Sequence, residues 1–174
     1  CTHSMSGMST YEKIVQSVFN SLIPRSAGFA SINPNSFLDV TIILILLQMI
    51  IGGSSQSMAG GIKVNTLGAI LLNLRSVLFG HDGTTAFNRT INTASVRRAN
   101  AIMTVAAIGL TVYCTIMLVL EPQLPTKSVI FETVSALFTV GSSLGITPML
   151  SDASKAVLCS AMFLGRVGIL SLLC

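Results

Sequence analysis

The sequence predicts an all-α membrane protein built from two parallel helix–loop–helix units, each with a loop that breaks at glycine among apolar residues. Three observations carry this. The 174 residues are 51% hydrophobic and only 9% charged, against about 25% charged in soluble domains. Mean hydropathy is +0.78. The apolar runs come in two lengths: some are long enough to cross a bilayer, and others, of about a dozen residues, can only enter it and return.

The elements follow in chain order. Residues 11–23 form the first short segment, opened by Ser9-x-x-Glu12, the pattern of a capping box. A span begins near Phe37 and runs apolar to Ile51, breaks at GGSSQSMAGGIK over residues 52–63, and resumes to about Leu74. Residues 99–120 carry no charge. At ~1.5 Å per residue they measure roughly 33 Å, enough to cross the hydrocarbon core. Glu121, Pro122 and Pro125 end that span, and Pro125-Thr126 opens the second short segment, residues 127–138. A last span begins near Ala153 and runs into the apolar end of the chain. Asp39 and Asp152 are expected to cap the helices they precede. The division is thus residues 1–74, a linker at 75–98, and residues 99–174. With no initiator methionine before Cys1 and an apolar run ending at Cys174, the chain reads as a fragment of a longer protein.

Charge gives orientation. Arg75, Arg89, Arg97 and Arg98 face only Asp82 across the linker, so residues 75–98 are expected in the cytoplasm. Both short segments then enter from the outside and return there. The acceptor pattern Asn88-Arg89-Thr90 is discounted on that side of the membrane.

Other chemistries find little support. Cys1, Cys114, Cys159 and Cys174 have no metal-ligand spacing, and His3 and His81 sit in polar stretches. No catalytic motif is present and no pair of catalytic groups shares a span, so the chain is not expected to be an enzyme. Neither cofactor nor nucleic acid is expected.

A shift of 113 residues lays Gly28 on Gly141, Asp39 on Asp152, Met49 on Met162 and Gly52 on Gly165. Each unit therefore reads as a half-helix, a glycine-bearing loop, a polar link and a long helix interrupted at glycine, both in one membrane orientation. Bare backbone survives at membrane depth only where protein buries it or water lines it. Half-helices aiming their partially negative C-termini at one axis, with carbonyl oxygens turned inward, would replace the hydration shell of a cation.

TVGSS at residues 139–143 resembles the filter pattern of potassium channels. With IPRSAGFASIN from Ile23, IIGGSSQSMAGGIK from Ile50, TVGSSLGITP from Thr139 and FLGRVGILSL from Phe163, in that order, the chain resembles the Trk/Ktr/HKT family of potassium transporters. The match is to the C-terminal half, repeats three and four of four channel-like helix–pore-loop–helix units.

The resemblance implies a pore-forming subunit of a potassium uptake system in the cell inner (plasma) membrane. Repeat three would supply the filter residues Ser26, Ala27, Gly28 and Phe29, following Arg25. Repeat four would supply Thr139, Val140, Gly141 and Ser142, with Ser143 next. K+ would be held by backbone beside Gly28 and Gly141. Gly52, Gly53, Ser54, Ser55, Gln56, Ser57, Gly60 and Gly61 would form an intramembrane gate below the filter. Arg166, a cation inside an apolar span, would face the pore and meet that loop as part of the barrier. Glu132, inside the second half-helix, is expected to hydrogen-bond or to act at the outer mouth. Implied partners are a second copy in a homodimer, a cytoplasmic nucleotide-binding regulatory ring, and membrane lipid. Two alternatives stand beside this reading: a broken-helix secondary transporter for a small solute, whose half-helices would aim N-termini at their substrate, and a membrane subunit that transports nothing itself.

Overall fold

The computed structural model describes residues 9–25, 28, 37–53, 61–79, 85–86 and 89–167. It is helical: α1 (Thr10–Leu22), α2 (Asp39–Ile50), α3 (Val64–Leu78), α4 (Thr93–Leu120), α5 (Thr126–Leu137) and α6 (Asp152–Val167), with 3₁₀ turns at Ile23–Arg25 and Thr147–Met149. The linker adds a two-residue antiparallel pair, β1 (Thr85–Ala86) and β2 (Arg89–Thr90).

Local signals place most of these ends. The Ser9 amide donates to Glu12 Oε2 at 2.8 Å, half of the reciprocal pair that starts α1. The Asn92 side chain accepts from the Ala94 amide at 3.0 Å and starts α4. α4 therefore opens six residues before the uncharged run, and α3 continues to Leu78. The linker is helical at both ends, and Arg75, Arg97 and Arg98 ride on helix. Hydropathy marks where a chain tolerates lipid, whereas helix persists wherever the backbone can pair. Arg75 sits in the last turn of α3, with its guanidinium 6.0 Å from the centre of the Phe79 ring.

The expected aspartate caps are not formed. Asp39 and Asp152 are the first helical residues of α2 and α6, and Leu38 is the N-cap of α2. Their charges still favour the helix N-terminus. Each finds a lysine: Lys127 Nζ lies 3.0 Å from Asp39 and Lys155 Nζ lies 3.5 Å from Asp152, both pairs in the open.

α4, 28 residues and about 42 Å long at ~1.5 Å per residue, is the one described helix with the length and composition to cross a membrane unaided. α2 and α3 are shorter apolar helices separated by the glycine-rich interruption. α5 lies at the centre, packed by α2, α4 and α6. Val129, Phe131, Val134 and Leu137 are buried there against Met49 of α2, Met117 of α4 and Leu158 and Ala161 of α6. α1 has no buried residue; it leans on the turn at Ile23–Arg25, which rests on α2.

Candidate functional site

The centre of the molecule is the C-terminal end of α5. The helix closes at Phe138, whose amide reaches the Val134 carbonyl at 3.0 Å. The Thr139 amide then bonds to Ala136 O at 3.1 Å and the Val140 amide to Ser135 O at 2.9 Å. Thr139 takes a left-handed backbone, φ +53°, rare for a β-branched residue. Its hydroxyl oxygen is buried and has no hydrogen-bond partner among the described residues. The helix thus stops by turning its chain back on itself, leaving an extended segment at the negative end of its dipole.

Gly141 follows at φ +85° and Gly28 lies opposite at φ +68°. The two meet. A Cβ on Gly28 would lie 3.2 Å from the Val140 carbonyl oxygen and 3.4 Å from that of Gly141, and a Cβ on Gly141 would lie 3.5 Å from the Gly28 α-carbon. Each glycine supplies a conformation that L residues rarely adopt, and at Gly28 the Val140 carbonyl also crowds the space a side chain would need. Two residues 113 apart in the chain thereby share one point. Val140 is buried, Ser142 half-buried and Gly141 exposed. Ser26, Ala27 and Phe29 lie outside the described residues.

The segment leaving Gly141 is tied to Glu132. This carboxylate lies inside the protein at 6% exposure. Its Oε1 accepts from the Ser143 hydroxyl and, at 3.1 Å, from the Thr147 hydroxyl. Ser143 Oγ also accepts from the Gly145 amide at 2.8 Å and lies 3.1 Å from Thr147 Oγ1. Sequence reasoning allowed Glu132 a hydrogen bond but did not name its partners. The available signal was two hydroxyls and a glycine at alternate positions just beyond Thr-Val-Gly.

The glycine-rich interruption is closed at its base. The Gly52 amide donates to Ile62 O at 3.0 Å, the Ile62 amide to Ile50 O at 3.1 Å, and the Val64 amide to Gly53 O at 3.3 Å. Gly61, at φ +79°, lies so near that a Cβ would come within 3.1 Å of the Gly52 backbone. Gly52, Gly53 and Gly61 therefore meet at one clasp; Ser54, Ser55, Gln56, Ser57 and Gly60 lie outside the described residues. Arg166 is exposed in the last turn of α6. Its neighbour Gly165 touches the end of α5: a Cβ there would fall 1.9 Å from the Leu137 carbonyl oxygen and 3.2 Å from Thr139 Cγ2.

At the far end of α4, Glu121 Oε1 accepts from the Ser151 amide at 2.8 Å and the Ser154 hydroxyl at 2.7 Å. These bonds, from the Ser151 backbone first and then from the hydroxyls of Ser151 and Ser154, hold its carboxyl below the usual range. Among the described residues, no group of three or more His, Cys, Asp or Glu side chains could hold a metal.

The chain matches the family described as TrkH, cation transport protein, over residues 2–174. It is 37% identical over 164 residues to the potassium/sodium uptake protein NtpJ of Enterococcus hirae, which covers 92% of this chain and 36% of that one. It is 36% identical over 157 residues to the Ktr system potassium uptake protein B of Bacillus subtilis, covering 90% and 35%. The crystal structure of the potassium transporter TrkH from Vibrio parahaemolyticus has the same fold, with a TM-score of 0.81 at 22% identity, covering 98% of this chain and 38% of that one. The chain thus spans about a third of the length of these relatives.

Proposed function

Because the chain belongs to the TrkH family of cation transport proteins, we propose that it supplies two filter strands of the pore subunit of a potassium uptake system. It is an integral membrane protein of a transport family, not an enzyme family. Two of its relatives are named for potassium uptake. Residues 1–74 and 99–174 are read as two of four channel-like repeats, joined by a cytoplasmic linker at 75–98 whose arginines set the orientation in the inner (plasma) membrane.

The observation that carries the reading is the meeting of Gly28 and Gly141, both left-handed, at the negative end of α5. Carbonyl oxygens beside those glycines stand in for the water stripped from K+, the transported ion. The buried Thr139 hydroxyl, without a partner among the described residues, is one further oxygen at the same end of the filter. Ser26, Ala27 and Phe29 complete the first strand, and Val140 and Ser142 the second. Below it, the loop from Gly52 to Gly61 and Arg166 form the gate. The working protein is a homodimer regulated by a cytoplasmic nucleotide-binding ring.

Rubidium uptake into proteoliposomes carrying the full-length protein tests this. Uptake that Gly141→Ser abolishes is expected; uptake indifferent to that substitution overturns the filter assignment.

A further inference from the structure

We propose that Glu132 is a positioning residue for the filter, anchoring the strand that leaves Gly141 through the hydroxyls of Ser143 and Thr147 and so setting the oxygen spacing that separates K+ from Na+. This rests on the transport reading above. The filter strand is clamped twice to the same buried helix. Upstream, the amides of Thr139 and Val140 are bonded to the carbonyls of Ala136 and Ser135. Downstream, the hydroxyls of Ser143 and Thr147 converge on one oxygen of Glu132, and the Gly145 amide fixes Ser143 in turn. Gly141 and Ser142 lie between the clamps.

The carboxylate is turned into the protein, with 6% of the residue exposed. Its charge is answered by hydroxyl donors, which form stronger bonds to a carboxylate than to a neutral acceptor. A group that attracted cations at the outer mouth would be open to water instead. Selectivity by carbonyl oxygens depends on where those oxygens sit, whether cavity size or the number of ligands decides it. A strand released at one end loses that definition without losing the pore.

The test is rubidium uptake by the full-length transporter in proteoliposomes, competed with K+ and with Na+. Glu132→Ala is expected to lower the preference for K+ over Na+ by about tenfold or more, the scale of a lost hydrogen bond to a charged group. Glu132→Gln, which keeps a carbonyl acceptor, falls between. Ser143→Ala and Thr147→Val each lower the preference, and Ser143→Ala adds little on top of Glu132→Ala, because one network is being cut twice. Unchanged preference in Glu132→Ala overturns the proposal. So does a Glu132→Gln variant as impaired as Glu132→Ala while the two hydroxyl variants behave as wild type, since the charge would then act on the ion directly. Should Glu132→Ala fail to accumulate, the hydroxyl variants decide, and wild-type preference in both overturns it. Wild-type protein that takes up no rubidium strikes the transport reading instead. The clamp is then read by amide exchange over residues 141–147, which Ser143→Ala should accelerate and which, if unchanged, removes the clamp.

Discussion

Gly165 of α6 presses its α-carbon against the carbonyl oxygen of Leu137, so closely that a methyl group there would fall 1.9 Å from it. The last turn of α6 is thereby seated directly on the end of the half-helix that leads into Thr139.

Gly165→Ala should therefore be costly. The obstacle is backbone, which cannot rotate aside, so α6 or α5 must shift. Overpacking of this kind costs about 1–3 kcal/mol, occasionally more. A lowered melting temperature in detergent checks it; an unchanged melt would mean that α6 stands further from α5.

The two meeting glycines should differ in tolerance. Alanine at either must hold a left-handed backbone, at roughly 1–2 kcal/mol. Gly28→Ala also drives a methyl to 3.2 Å from the Val140 carbonyl, whereas at Gly141 the nearest atom stands at an ordinary 3.5 Å. Gly28→Ala should reduce rubidium uptake more than Gly141→Ala. Equal losses would indicate that backbone strain alone matters.

Acid should loosen the junction of α4 and α6. The Glu121 carboxyl is held below its ordinary value, first by the Ser151 amide and then by the hydroxyls of Ser151 and Ser154. A depressed carboxylate pKa adds stability that is present above the unfolded value and is lost as pH falls through the folded one. Thermal stability should fall on acidification below the usual carboxylate range, and Glu121→Gln should flatten that fall. A variant with the wild-type pH profile would remove Glu121 as the source.

Arg166→Ala tests the gate. If the guanidinium forms part of the barrier to K+, its removal should raise basal rubidium flux and weaken the regulation proposed above. Unchanged flux and regulation would take Arg166 out of the barrier.

Much of the architecture is legible because it is local. Ser9 and Glu12 announce α1, and Pro125-Thr126 announces α5. The glycines at residues 52–61 announce the break between α2 and α3. Asn92 marks the start of α4 as well, but Arg97 and Arg98 after it hide that helical turn from a reading of hydropathy. Backbone pairing does not stop where lipid solubility does. Ser143 and Thr147 carry a weaker signal, two hydroxyls spaced about a glycine beyond Thr-Val-Gly, because their partner is set by how the chain returns past α5.

The chain's own residues determined that it is an apolar, helical membrane protein with two half-helices, each followed by glycine. Those features follow from hydropathy, capping chemistry and the conformations a single residue can take. Only the tertiary structure decided that Gly28 faces Gly141, that Glu132 receives Ser143 and Thr147, and that Gly165 leaves room for Leu137. Each is a contact between segments distant in sequence, fixed by how helices pack around α5 and not by any property of the residues taken alone.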